Sequence, residues 1–278
     1  MRIREITQID NKNIALMDTS SISFLQVLKN KGIKSDIVLK DYDLILIPKW
    51  VLNEINDAAG RTEYLQSLID SGYPIYCIAE ETYSNLVDYE EGNLYQIVSA
   101  STSLLGRLRA YLRKFVERTD SLDMAEYSTW IQQLYDEWPI PGDNLSNGRI
   151  RKKNAGEVSI TILAEVISWY YPATEALTVY SQDGDTYEYQ RAAETKLREI
   201  FVSRTPVPIS YKSNDAILCQ LFREKEIDLD GVLSCRTDKR RITYSIEKPD
   251  HSVVLVTEVV DNESFVTLIQ KEAIHIIF

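Results

Sequence analysis

The stretch Ile14-Ala15-Leu16-Met17-Asp18-Thr19-Ser20-Ser21-Ile22 decides the architecture. Residues 14–17 are continuously apolar and too few for a helix, so they read as a short strand buried on both faces. Asp18 ends that run, Thr19, Ser20 and Ser21 supply helix-starting chemistry, and Phe24, Leu25 and Leu28 follow at helical spacing. The pattern of strand, turn and helix then recurs. Residues 44–47 meet Pro48, which suits a first helical turn, and then Trp50, Val51, Leu52 and Ile55. A third run at 74–79 precedes Glu80, Glu81 and Thr82, and a fourth at 177–180 precedes Ser181, Gln182 and Asp183. Short apolar runs alternating with helical patterns predict an α/β fold over residues 1–228, with a parallel sheet flanked by helices on both faces in three layers.

Between the third and fourth strands the chain must be largely helical, because a structureless loop of roughly a hundred residues is improbable in a folded domain. This insert occupies about 84–150. One apolar stripe runs through Leu104, Leu105, Leu108, Tyr111, Leu112, Phe115 and Val116, and a second through Leu122, Tyr127, Trp130, Ile131, Leu134 and Tyr135. The segment WPIPGDNLSNG at 138–148 reads as loop, and Asn154 opens a helix carrying Ile160, Leu163, Val166, Ile167 and Tyr170. From 229 to 278 the character changes. Strand-like stretches at 242–246, 252–260, 265–269 and 274–278, with KPDH and DNES as turns, predict a small antiparallel extension.

The 278 residues carry 31 Lys plus Arg against 42 Asp plus Glu, a net charge of −11, so a protein that coats DNA through a basic face is excluded and any nucleic-acid contact needs a local patch. Apolar runs such as those at 44–47 and 253–256 are far below the ~20 residues of a membrane span. Three scattered cysteines, Cys77, Cys219 and Cys235, and an N-terminus without an apolar core segment point to a cytoplasmic protein with no membrane partner. No GxSxG, Walker A, GxGxxG or HExxH pattern occurs. A haloacid-dehalogenase-type phosphatase needs an acid two residues after Asp18, where Ser20 stands.

Asp18, Glu54, Glu157 and Asp183, with Asp185 beside the last, share one address at strand ends or helix starts. In an open parallel sheet these positions converge outside the carboxyl ends of the strands. Clustered carboxylates are costly unless a divalent cation neutralises them. Each acid also has a plainer role: Asp18 and Asp183 as helix caps or turn residues, Glu54 as an acid near a helix start, and Glu157 as the third residue of a capping box opened by Asn154.

The string IALMDTSSI resembles the first motif of PIN-domain nucleases, IPKWVLNEI the second, NAGEVSITILAEV the third and YSQDGD the fourth; TPVPISYKSNDAILCQLFREKEI resembles the closing strand and helix. The resemblance covers residues 1–228. It implies a PIN-like fold and Mg²⁺- or Mn²⁺-dependent hydrolysis of RNA phosphodiesters. Asp18, Glu157 and Asp183 would be the main metal ligands, Glu54 and Asp185 would assist directly or through water, and Thr19 and Ser181 would orient carboxylates or waters. It further implies an RNA substrate and a homodimer. The alternatives are a noncatalytic PIN-fold module that binds RNA or protein, and a toxin held silent by an inhibitory protein partner. The run Arg149-Ile150-Arg151-Lys152-Lys153 precedes the acidic helix, where its cations would hold phosphates; a solvated charge run is the competing reading. Tyr187 and Tyr189, just past the fourth motif, are candidates for base stacking or for core packing.

Overall fold

In the computed structural model the decisive run is a central strand. The structure describes residues 3–56, 59–118, 127–144, 148, 150–237, 239–248 and 251–278, without the side chains of 59 and 114–118. A short strand β1 (Arg4–Glu5) is followed by β2 (Asn13–Met17), α1 (Thr19–Asn30), β3 (Leu44–Pro48), α2 (Lys49–Ile55), α3 (Ala59–Asp70) and β4 (Ile75–Ile78). The insert contributes α4 (Tyr83–Leu86), α5 (Glu91–Ser101), α6 (Gly106–Arg118) and α7 (Tyr127–Asp136). Then come α8 (Ala155–Tyr170), β5 (Ala176–Tyr180), α9 (Gly184–Ile200), β6 (Ile209–Lys212) and α10 (Asn214–Arg223). All six strands are parallel, in the order β1-β4-β3-β2-β5-β6. Ile14 sits in register with Leu44 on one side and Leu177 on the other, so the apolar runs read from the sequence are direct neighbours.

This order decides where a site can form. From β2 the chain steps outward through β3 to β4, then returns to the opposite side of β2 as β5. The crevice beyond the carboxyl ends of β2 and β5 is therefore the switch point of the sheet, where open α/β folds bind ligands. Helix α8 is buried over nearly its whole surface, including Ser159, Thr161 and Glu165, and packs on α2, α5 and α9. Its run of Ile, Leu and Val suits a helix enclosed by neighbours on nearly every side.

One buried acid of α8 makes stability depend on pH. Glu165 is fully buried, accepts a hydrogen bond from Trp169 Nε1 at 2.8 Å, and has its carboxyl pushed up to about 8, first by burial. The folded state thus holds a proton that the unfolded chain releases near pH 4.5, and its stability falls as pH rises from there towards 8. Glu165→Gln is expected to leave the melting temperature nearly unchanged at pH 5 and to stabilise by on the order of 3 kcal/mol at pH 8.5. Melting curves at the two pH values check this; the same change at both would refute the linkage.

The insert stripes hold in part. Leu108, Leu112, Tyr127, Trp130, Ile131 and Leu134 are buried, whereas Leu104 is 55% exposed. Leu122 and the side chains of Phe115 and Val116 lie outside the described residues.

The chain ends in α11 (Leu229–Cys235), β7 (Arg240–Glu247), β8 (Val253–Val260), α12 (Asn262–Ile269) and β9 (Ile274–Ile276), with an antiparallel sheet in the order β8-β7-β9. The strand expected at 265–269 is a helix instead. Asp261 caps it by accepting from Ser264 N at 2.8 Å, and Phe265, Leu268 and Ile269 form its buried face at i, i+3 and i+4. The DNES segment is thus a helix start rather than a turn between strands. Within KPDH, residues 249 and 250 lie outside the described residues.

The apolar core continues from the parallel sheet into this extension through Ile242, Phe265 and Ile269. A charged cluster fastens the two. Asp215 on α10 accepts from Arg236 Nε at 3.1 Å and from Arg240 Nε at 3.0 Å. Arg236 also donates to Asn262 Oδ1 at 2.7 Å and to the Val260 carbonyl at 3.0 Å, and stacks over the Phe265 ring.

Candidate active site

Asp18 follows β2 directly and caps α1, and its carboxylate is crowded with donors. Oδ1 accepts from Ser21 N at 2.7 Å and Ser21 Oγ at 2.8 Å, Ser20 Oγ reaches both carboxylate oxygens at 2.9 Å, and Ser181 Oγ donates to Oδ2 at 2.5 Å. Burial nonetheless raises its pKa, with these hydrogen bonds opposing. Ser181 belongs to the turn after β5, and its Oγ accepts from Asp183 N at 3.0 Å, so the ends of the two central strands are tied through one hydroxyl. Asp183 caps α9 by accepting from Asp185 N at 3.0 Å. Capping and site membership are thus compatible, because the helix N-termini themselves face the crevice.

Glu54, from the last turn of α2, accepts from Thr19 Oγ1 at 3.1 Å and lies 3.7 Å from Arg151 Nη2. It presses on the N-terminus of α8, where a Cβ on Gly156 would stand only 3.2 Å from Glu54 Oε1. Glycine there permits the close approach. Burial raises the Glu54 pKa, while Arg151 and Thr19 pull it back.

Glu157 follows Gly156 into the same space. Its carboxyl is pushed up to about 8, first by burial; its own backbone N–H opposes this, and the charges of Glu54, Asp183 and Asp18 add to it. The expected capping box does not form. Asn154 has φ of 63° and donates from Nδ2 to Tyr189 Oη at 2.6 Å, so Glu157 is released from capping and turned to the cavity. Tyr189 is correspondingly buried and takes no part in an exposed stacking surface.

Asp18, Thr19, Glu54, Glu157 and Asp183 line one cavity of about 240 Å³. Asp185 does not line it and is exposed on the first turn of α9. Ser20, Ser21 and Arg61 are site residues that the sequence reading passed over. The serines could have been suspected from their place after Asp18, whereas Arg61 reaches the cavity from α3 with no local signal.

The basic run divides. Arg149 lies outside the described residues. Arg151 lines the cavity beside Glu54. Lys152 donates to the Tyr135 carbonyl and lies 4.2 Å from the Tyr135 ring centre, and burial lowers its pKa. Lys153 is exposed. Gly142 fixes this segment, since a Cβ there would stand 1.6 Å from the Arg151 carbonyl oxygen.

The donor set is all oxygen, anionic and partly buried, which is the chemistry that Mg²⁺ or Mn²⁺ selects. Among the described residues no three His, Cys, Asp or Glu side chains stand close enough together to hold a metal ion as placed. The carboxylates share a cavity, and the charges of Glu54, Asp183 and Asp18 add to the rise that burial imposes on Glu157. Asp183→Asn tests that repulsion directly. Asn caps as well as Asp, so the helix start is kept while a charge facing Glu157 is lost. The metal-free protein is expected to gain roughly 1 kcal/mol at pH 8.5, read as a higher melting temperature in EDTA; a lower one would contradict mutual repulsion.

No known protein family, curated protein or solved structure matches this chain.

Proposed function

We propose that this chain is a metal-dependent nuclease that hydrolyses RNA phosphodiester bonds, as its resemblance to PIN-domain nucleases implies. The observation that carries the reading is the convergence of Asp18, Glu54, Glu157 and Asp183, drawn from four separate places in the sequence, on one cavity at the switch point of a parallel sheet. Asp18, Glu157 and Asp183 would hold Mg²⁺ or Mn²⁺, with Glu54 assisting. The bound cation would lower the pKa of water and neutralise charge on the phosphodiester. Thr19 positions Glu54 and Ser181 positions Asp18 through the hydrogen bonds described above. Arg151 and Arg61 supply positive charge at the rim, suited to non-bridging phosphate oxygens. Asp185, exposed and outside the cavity, would act only through its backbone N–H, which donates to Asp183 Oδ1. Proton uptake by Glu157 competes with metal, so Mg²⁺ affinity, measured by titration calorimetry, is expected to rise as pH climbs towards 8.

A noncatalytic RNA- or protein-binding module is favoured by one observation. The lone pairs of Asp18 are largely taken by serine donors, so Ser20 or Ser181 must rotate before Asp18 can ligate a cation. Incubating a mixed, end-labelled RNA pool with the protein and Mg²⁺ or Mn²⁺, with EDTA as control, separates the two. Metal-dependent cleavage supports the nuclease; intact RNA with a folded protein supports the module.

A further inference from the structure

One face of α9 leads away from the acids. Gly184, Tyr187, Arg191 and Thr195 recur every three to four residues and form a single stripe. That stripe lines an open cavity of about 700 Å³, whose other wall is Arg241 and Thr243 of β7 together with the terminal Phe278. On β7 the residues alternate, so Ile242 and Tyr244 are buried in the shared apolar core while Arg241 and Thr243 line the cavity with α9. Gln182 and Gly184 line the near end and flank Asp183, so this cavity begins where the acidic one lies. Tyr187 and Phe278 stack with centroids 5.8 Å apart and planes 18° from parallel, and the Arg191 guanidinium lies 5.7 Å from the Tyr187 ring centre.

Farther along α9, Lys196 borders a second cavity of about 290 Å³, faced by Arg109 and Arg113 of α6. The segment carrying Leu104 and Arg109 borders both spaces, so they follow one another along a helix about 24 Å long from Gly184 to Ile200. Six cations line the two cavities against one acid, Glu188. Arg240 is held by Asp215; the other five are in no ion pair among the described residues. In a chain of net charge −11 such a strip calls for a polyanion. Cations spaced along a groove with a stacked aromatic pair at one end are what a single-stranded nucleic acid requires, since every base presents a π-face and every phosphate a charge.

We propose that this strip is the track on which a single strand of RNA leaves the acidic cavity, its phosphates against Arg191, Arg241, Lys196, Arg109 and Arg113 and a base against the Tyr187 and Phe278 pair. The proposal rests on the nuclease reading for its direction and names the substrate form of that site. The extension and the insert then have a common purpose, each walling one stretch of the track against α9.

The test uses the triple variant Arg191→Gln, Lys196→Gln and Arg241→Gln, all at exposed positions. Binding of an unstructured fluorescent RNA of about 12 nucleotides is measured by anisotropy in EDTA across a salt series. The variant is expected to bind at least about tenfold more weakly at low salt, with the slope of log affinity on log salt reduced by about 2. With Mg²⁺ the variant should show a raised KM and little change in kcat. An unchanged slope and KM in a folded variant overturns the track, and cleavage by the wild type would then leave the nuclease reading standing. Binding lost in the variant, with no cleavage by the wild type, leaves the track standing and removes the nuclease.

Discussion

Replacing Asp18 with Asn is expected to lower metal-dependent RNA cleavage by about a thousandfold, equivalent to about 4 kcal/mol of barrier, while leaving the protein folded. Asn keeps Oδ1 to accept from Ser21 N and Ser21 Oγ, and the hydroxyls of Ser20 and Ser181 can turn to accept from the new amide on the Oδ2 side. Removing a buried charge also lifts its desolvation cost, so the melting temperature should stay within about 3 °C of the wild type. What disappears is the carboxylate charge at the centre of the crevice, tied to both β2 and β5. Initial rates on end-labelled RNA in Mg²⁺ and in Mn²⁺, for wild type and variant, measure the effect. Cleavage by the variant within tenfold of the wild type would remove Asp18 from the chemistry.

The largest structural effect is expected at Asp215. Its carboxylate is 1% exposed and receives Arg236, whose side chain is fully buried, together with Arg240. Asp215→Ala leaves the Arg236 guanidinium in a low-dielectric interior without its counter-charge, at a cost of about 3–5 kcal/mol. Burial already lowers the Arg236 pKa, and the Asp215 charge and hydrogen bonds oppose that shift. Because Asp215 sits on α10 and both arginines belong to the C-terminal extension, the loss falls on the attachment of that extension. Arg240 is 19% exposed and can turn to water, so it adds little. A fall of roughly 10 °C in melting temperature is expected. Asp215→Ala combined with Arg236→Met should recover part of it, since a buried pair replaced by apolar groups is often neutral. A loss below about 1 kcal/mol in the single variant, read by urea unfolding, would show the pair to be dispensable.

The parallel sheet was legible because each strand is a short apolar run bounded by turn or capping residues, a signal that survives without tertiary information. The segment at 265–269 was misread because Phe265, Val266, Leu268 and Ile269 suit strand and helix alike over so short a length. Asp261 capping Ser264 settled it, and that capping signal was present in DNES. At the site, the acids were visible as residue types at recurring addresses. The failure of the Asn154 capping box was not, because it depends on Tyr189, which meets Asn154 from α9.

By itself the sequence determined the class of fold, the helical character of the insert, and the acids that the strand ends present, since these follow from local periodicity and from which residues interrupt it. Only the tertiary structure decided that β5 returns beside β2, and hence that Asp18 and Asp183 face one crevice while Asp185 stands outside it. It also separated Arg151 from Lys152, placed Arg61 at the rim, and set the extension opposite α9. Strand order, close backbone approach at Gly142 and Gly156, and the turning of neighbouring side chains to opposite partners are set by packing between segments far apart in the chain. No local pattern encodes such contacts, because each is the outcome of the whole core being filled at once.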